Sequence, residues 1–205
     1  MVWEHWYNCM MKRFLPLVTI MVALAGEPAI AQDYNKGVAA FQAGDYPTAL
    51  ENWMPLAEGN DPEAQRNIGV MFQQGLGVPQ SDAEAANWYR RAAEAGHARA
   101  QQNLGVMFEQ GAGVPQDYRE AARWFRRSAE QGNLNAKLNL GVMLEQGVPG
   151  LPVNVVLAHM WFNLAAAQGS VDAAKFRDEV AANMSPEQVA EAQRLAQEWL
   201  AQYPQ

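Results

Sequence analysis

The chain has 205 residues, a single cysteine, Cys9, and a net charge of −7 at neutral pH. This acidic balance gives no reason to expect nucleic acid or an anionic lipid surface as a partner. A single cysteine cannot form a disulfide within the chain, so apolar burial must stabilise the fold. A chain of this length buries roughly 70% of the surface that it exposes when unfolded, which is sufficient for a stable core.

Residues 1–31 have the pattern of a secretory signal peptide. Lys12 and Arg13 precede an apolar run over residues 14–25, and the segment ends on an Ala-x-Ala sequence at Ala31. This order is typical of a cleaved export signal. The apolar run is shorter than the ~20 residues that cross a bilayer, so an uncleaved anchor is the weaker alternative. We predict cleavage near Ala31 and a periplasmic or secreted mature protein without a transmembrane segment.

The beginning of this segment is unusual. Residues 1–10 contain two tryptophans, a histidine and a cysteine, whereas an export signal normally begins with basic residues. We therefore expect that residues 1–10 belong to a mis-assigned start, and that the natural start is Met10 or Met11.

Residues 32–63 predict a short helix pair at the front of the fold. The turn signal Gly44-Asp45 separates two stretches with helical apolar spacing. The second stretch is a weaker copy of the repeat that follows, with Ala49 standing 36 residues before Ala85. This atypical pair is expected to cap a repeat array.

Three consecutive units, residues 64–99, 100–135 and 136–172, repeat one another. They align at a step of 36 residues, and the third unit has one extra residue in its loop. A period of this length is too long for a heptad and fits a helix–loop–helix unit. A glycine and a tryptophan in each unit are the predicted structural anchors: Gly69, Gly105, Gly141, Trp88, Trp124 and Trp161.

Start and stop signals divide each unit into two helices. Ser81 and Asp117 each precede a glutamate by three residues, which is the pattern of a capping box. Loops rich in glycine and proline follow the first helix and prevent it from continuing. No segment alternates with a period of two residues, so no strands are expected.

The apolar residues of each helix recur at intervals of three and four, which gives each helix one buried face. One helix pair cannot bury all of its apolar surface, whereas stacked neighbours can. Residues 173–205 predict C-terminal capping helices, the last of which starts at Ser185 and can cover the end of the stack. The sequence therefore predicts an all-α solenoid of antiparallel helix pairs.

Two ladders of amide side chains follow the first helix of each unit. Asparagine is a mediocre helix former, so its repetition in the middle of a helix requires a reason. One hypothesis is a polar strip that binds a partner's backbone; the other is that the asparagines join adjacent repeats by hydrogen bonds. The candidate partner-binding residues are Asn67, Asn103, Asn139, Gln74, Gln110 and Gln146.

Residues in catalytic or metal-binding patterns are scarce. After residue 31 there are two histidines, His97 and His159, and they lack the spacing of a metal site. No serine lies in a Gly-x-Ser-x-Gly or Ser-x-x-Lys motif, and the glycine-rich loops lack the Gly-Lys-Ser/Thr end of a phosphate cradle. We therefore expect no enzymatic activity, no cofactor and no metal.

Several arginines make the middle repeats locally basic. They are Arg90, Arg91, Arg99, Arg119, Arg123, Arg126 and Arg127. A solvated helix face, paired with neighbouring glutamates, is the ordinary interpretation. A docking patch for an acidic partner is the alternative.

The repeat units resemble the Sel1-like repeat family, a relative of the tetratricopeptide repeat. In the second unit the resemblance rests on Ala100, Asn103-Leu104-Gly105, the loop from Gly111 to Asp117, Ala121-Ala122-x-Trp124-Phe125 and Ala129-Glu130-x-Gly132. Matching residues stand in the first unit and, for the most part, in the third. The resemblance extends over residues 34 to about 184.

The resemblance implies a right-handed α-solenoid with a concave groove. Proteins of this kind act mostly as adaptors and scaffolds, so another protein is the expected partner, either in the bacterial envelope or as the outer domain of a membrane sensor. The alternative implied is a hydrolase of β-lactams or cell-wall fragments, as in a cysteine-rich subgroup whose cysteines this chain lacks. Fold resemblance alone does not decide between these functions.

Overall fold

Ten α-helices follow one another along residues 34–204, the part of the chain that the computed structural model describes. They are α1 Tyr34–Gln42, α2 Tyr46–Glu58, α3 Pro62–Gln74, α4 Asp82–Glu94, α5 Ala98–Gln110, α6 Tyr118–Glu130, α7 Leu134–Gln146, α8 Val155–Ala166, α9 Val171–Ala181 and α10 Pro186–Gln202. None of these helices is both long enough and apolar enough to cross a membrane. The predicted signal peptide, its cleavage site and the two candidate starts lie outside the described residues.

The helices pack in the order of the chain. Helices α3 and α4 form the first repeat, α5 and α6 the second, and α7 and α8 the third, and each repeat contacts the next through its second helix. Val148 and Leu151 form an isolated β-bridge, and residues 34–204 contain no other strand pairing. The predicted fold class, an all-α solenoid of helix pairs, is confirmed.

Side-chain caps fix the start of the first helix in each repeat. Asp61, His97 and Asn133 each accept a hydrogen bond from the backbone N–H three residues later, at 2.7, 3.0 and 3.1 Å. These caps satisfy N–H groups that have no partner within the helix. Because His97 accepts through Nδ1, its proton is on Nε2, which lies 3.0 Å from Glu63 Oε1. His97 therefore joins the first helices of two adjacent repeats.

The second helices begin at the predicted caps, but the predicted capping boxes form only in part. Ser81 and Asp117 accept from the N–H of the glutamate three residues later, at 3.2 and 3.1 Å. Glu120, three residues after Asp117, forms an ion pair with Arg123 and does not accept a hydrogen bond from the backbone N–H of Asp117. The reciprocal pair of bonds is present at Ser185 and Gln188, where α10 begins.

Inside each repeat, a glycine of the first helix packs against an aromatic ring of the second. The three pairs are Gly69–Tyr89, Gly105–Phe125 and Gly141–Phe162. A methyl group at Gly69 or Gly105 would lie 2.6 Å from the ring, and one at Gly141 would lie closer still. The missing side chain thus lets the ring lie directly on the helix backbone. All three rings are fully buried.

The predicted tryptophan anchors pack between repeats. Trp88 belongs to an apolar cluster with residues of α2 and α3, and Trp124 to one with residues of α4 and α5, so each ring contacts the preceding pair. Trp161 packs edge-on against Trp199 of α10, with ring centroids 4.6 Å apart. Helix α10 therefore covers the end of the third repeat, which a further repeat would cover in a longer array.

Replacing Gly105 with alanine is expected to lower the free energy of unfolding by about 1–3 kcal/mol, because the added methyl group overpacks against Phe125. In an exposed helix the same change would stabilise the protein by about 1 kcal/mol. Urea unfolding followed by circular dichroism measures the difference. Gln102→Ala, at a partly exposed position of the same helix, is the control and should change stability by less than about 0.5 kcal/mol. A more stable Gly105→Ala protein would contradict the packing described.

Candidate binding groove

A polar groove of about 460 Å³ crosses the first helices of the three repeats. We call it the first-helix groove. It is lined by Arg66 of α3, by Arg99, Gln102 and Asn103 of α5, and by Asn133, Leu134 and Asn135 at the start of α7. Two arginines and four amides line it, and none of these seven described residues is a carboxylate.

Two asparagines of the predicted ladder bond to the preceding helix pair. Asn67 Nδ2 donates a hydrogen bond to the Tyr34 hydroxyl at 3.0 Å, and the Asn103 side chain is hydrogen-bonded to the Tyr89 hydroxyl. Burial raises the pKa of Tyr89 to about 12, because a buried site disfavours the phenolate. The protonated hydroxyl donates in turn to Gln73 at 2.8 Å. These two asparagines join adjacent helix pairs.

Asn139 differs from the other two asparagines. The residue of the second repeat that corresponds to Tyr89 is Phe125, which has no hydroxyl group. Asn139 is half-buried, and its side chain forms no hydrogen bond with another residue of the described range 34–204. Its amide is therefore available to a partner.

The predicted glutamine ladder lies closer to solvent than the asparagines. Gln74, Gln110 and Gln146 are exposed, and each is the last residue of a first helix. Within residues 34–204 these three side chains form no hydrogen bonds. The asparagines two turns earlier are buried or half-buried, so the two ladders lie at different depths. A role of either ladder in partner binding remains a prediction.

Each first helix also has a buried polar position that the sequence interpretation missed. Gln65 and Gln101 are buried, and their Nε2 atoms donate to the carbonyl oxygens of Ala57 and Ala93 at 2.9 and 3.1 Å. The third repeat has Lys137 at this position, and its exposed fraction is 0%. Burial lowers the pKa of Lys137 to about 8, because it disfavours the charged amine. The 36-residue step would have revealed this exchange of glutamine for lysine.

Replacing Lys137 with glutamine is expected to raise the free energy of unfolding near neutral pH, because it removes a buried amine that is charged there. The folded pKa of about 8 lies below the ordinary value of 10.5. The unfolded chain therefore binds more protons between these values, and the contribution of Lys137 to stability improves as the pH rises. The increase in the free energy of unfolding caused by Lys137→Gln should be largest below pH 8 and should shrink toward pH 10.5.

Urea unfolding of both proteins across this pH range measures the effect. Lys175→Gln is the matched control, because Lys175 lies on the surface with 71% of its side chain exposed. The difference in free energy of unfolding between Lys175→Gln and the parent should not shrink between pH 8 and pH 10.5. A constant difference between Lys137→Gln and the parent would show that the amine is not held in a desolvated site.

The two histidines lie in structural positions. His97 caps α5, and its side chain is 9% exposed, so it is less accessible than a surface residue. His159 is buried in α8, where burial and then the charge of Arg177 lower its pKa. Among residues 34–204, no group of three or more His, Cys, Asp or Glu side chains could hold a metal ion.

The arginines of α6 form a ridge that has local partners. Arg123 and Arg126 form ion pairs with glutamates of the same helix. The guanidinium of Arg127 lies over a tryptophan ring of α6 at 4.7 Å, and Arg119 Nε donates to a loop carbonyl at 3.3 Å. We call these four residues the α6 ridge. Its charges are mostly satisfied within the chain.

A sequence model for the Sel1 repeat matches residues 62–97, 98–133 and 134–170. Each matched segment begins at the first residue of a first helix and ends at the residue that caps the next one. The chain belongs to the Sel1 repeat family. Sel1 repeats are generally protein-interaction modules. Nothing in the match supports the hydrolase alternative.

Two solved bacterial structures are similar to this Sel1 repeat protein. A Sel1 repeat protein from Oxalobacter formigenes is 34% identical with a TM-score of 0.65, over 69% of this chain and 58% of that one. A protective antigen present in uropathogenic Escherichia coli strains, which displays an SLR fold, is 30% identical with a TM-score of 0.70, over 77% of this chain and 33% of that one. The chain thus spans only part of either relative. No curated protein matches it.

Proposed function

We propose that this Sel1 repeat protein is exported to the periplasm or beyond, and that it binds an extended segment of another envelope protein in the first-helix groove. One observation carries the proposal: polar side chains that line the groove, or that lie further along α5 and α7, have no hydrogen-bond or ion-pair partner within residues 34–204. They are Arg99, Gln102, Gln110, Asn135 and Asn139.

These side chains suit the backbone of a peptide. An amide both donates and accepts hydrogen bonds, so it can pair with the N–H and C=O groups of an extended segment. The groove side chains extend from packed helices, and the helices need not reorganise before binding. Such preorganisation lowers the entropy that association costs.

The expected location supports the choice of partner. A basic start, an apolar run and an Ala-x-Ala end precede the repeats, and this is the pattern of an export signal. An exported adaptor meets proteins of the envelope, including the outer domains of membrane sensors. A regulator of such a sensor is the narrower form of the proposal.

A photo-crosslinking residue placed at Asn139 or Gln110 is expected to capture a partner in the source bacterium, because both positions lie along the proposed path of the segment. Mass spectrometry then identifies the captured protein and the crosslinked peptide. The same residue at Arg123, on the α6 ridge, is the matched control. Capture from Arg123 but not from Asn139 or Gln110 would contradict the groove, and no capture from any position would contradict the function.

The mature protein isolated from the source bacterium is expected to begin at Gln32, because signal peptidase cleaves after an Ala-x-Ala sequence. N-terminal sequencing of the protein recovered from a periplasmic or extracellular fraction measures this. Ala31→Asp places a carboxylate at the cleavage position and should cause the longer precursor to accumulate. Recovery of the uncleaved chain from the cytoplasmic fraction of the parent strain would contradict export.

A further inference from the structure

We infer that the bound partner segment is acidic, and that Arg66 and Arg99 bind its carboxylates. This inference rests on the proposed function and adds the chemistry of the partner. The two arginines come from adjacent repeats, Arg66 from α3 and Arg99 from α5, and both line the first-helix groove. The groove is therefore positive although the chain as a whole has a net charge of −7.

The hydrogen-bonding capacity of Arg66 is not exhausted within the protein. Its Nη1 donates to the neutral amide oxygen of Asn67 at 3.1 Å, and its Nε is buried without an acceptor among the described residues, so a ligand would bond to the terminal nitrogens. A guanidinium has five N–H donors and forms its strongest bonds with carboxylates. The charge of Arg66 also acts on the Tyr89 hydroxyl and lowers its pKa against the larger effect of burial. Arg66 therefore provides a positive charge at the α3 side of the groove.

Arg99 is exposed and has no hydrogen bond or ion pair with another residue of the range 34–204. Glu63 occupies the corresponding position of the first repeat, but its carboxylate lies 3.0 Å from His97 Nε2. That contact engages Glu63 in the link between α3 and α5. The positive charge of Arg99 is therefore available to a ligand.

The repeat itself shows that this arginine pair is not needed for packing. The glycines that face aromatic rings are the same in all three repeats. The position of Arg99 is instead occupied by Glu63 and Asn135, and the position of Arg66 by Gln102 and Leu138. Stacking thus tolerates different side chains here. The residues that make the groove positive are therefore not required for stacking, and they can bind a partner.

The α6 ridge is a poorer site for an acidic partner, although it has more arginines. Arg123 and Arg126 already pair with glutamates of their own helix, so a ligand carboxylate would have to displace them. Among the lining residues of the first-helix groove no carboxylate is available for such pairing. The predicted alternative of an acidic partner is therefore better assigned to the groove than to the ridge.

The remaining lining residues favour a peptide over a nucleic acid. Gln102 and Asn135 flank the arginines and can bond to the backbone of an extended peptide. Non-specific single-stranded nucleic acid binding uses aromatic side chains on which the bases stack. The groove lining contains no aromatic residue among the described side chains. We therefore assign the site to an extended protein segment with aspartate or glutamate side chains.

Fluorescence anisotropy with the purified exported protein tests this assignment. The probe is a labelled Gly-Ser peptide with two pairs of aspartates, and its counterpart has asparagines at the same positions. The aspartate peptide should bind more tightly, and the difference should shrink as salt is added. Arg66→Gln combined with Arg99→Gln should weaken its binding by at least about tenfold. Arg123→Gln combined with Arg126→Gln, on the α6 ridge, is the matched control and should leave the affinity unchanged.

Circular dichroism melting of both double variants establishes that each is folded. Equal binding of the aspartate and asparagine peptides, or an equal loss for both double variants, would overturn the inference. Tighter binding of a single-stranded oligonucleotide of the same charge would overturn it as well. If crosslinking at Asn139 captures a partner through a segment without acidic residues, the proposed function stands and this inference fails. If the aspartate peptide binds through Arg66 and Arg99 but no cellular partner is captured, the groove chemistry stands and the proposed function fails.

Discussion

The structure depends on the contact between a glycine and an aromatic ring in each helix pair. This contact sets how closely the two helices approach, because the ring lies where a side chain would otherwise project. Gly37 and Trp53 repeat the arrangement in the front pair, so it extends beyond the three matched repeats. Once the distance inside a pair is fixed, the tryptophan of the second helix meets the preceding pair at a constant position. The stack then grows by addition of equivalent contacts.

The same geometry places one face of every first helix beside the corresponding face of the next. Residues that do not take part in stacking therefore come together across repeats. Arg66 and Arg99 stand 33 positions apart in the sequence and line one groove. The repeat geometry forms the groove, whereas the individual residues that line it determine its charge. To bind another protein, the chain needs both the groove and the charge of its lining.

Much of the fold could be predicted from the sequence because the residues that form its packing contacts recur at a regular step. The 36-residue step aligned Gly105 with Gly69 and Trp124 with Trp88, and helix start signals located both helices of a pair. Depth within the fold was harder to predict. Trp88 and Tyr89 are neighbours on one helix, and the sequence gives no measure of which lies deeper. In the structure Tyr89 meets the glycine and is fully buried, while Trp88 packs between pairs.

The candidate site was less predictable, because it depends on which side chains already have partners. Asn103 and Asn139 look equivalent in the sequence, yet the first bonds to the Tyr89 hydroxyl and the second faces a repeat with Phe125 at the matching position. The arginines pose the same difficulty. The largest number of arginines lies on α6, and only the structure shows that two of them already form ion pairs with glutamates of the same helix. The exchange of glutamine for Lys137 was visible in the alignment of the repeats, but its burial was not.

The division between stacking residues and groove residues has a consequence for how such a chain can change over time. A helix pair that is duplicated within the array brings its own glycine–ring contact and its own cap, so it can be accommodated by its neighbours. Each duplication lengthens the groove by one unit and supplies new positions like those of Arg66 and Arg99. Those positions can then diverge without loss of the core. Genes of this architecture are thus free to acquire new binding partners by copying a module and altering its surface.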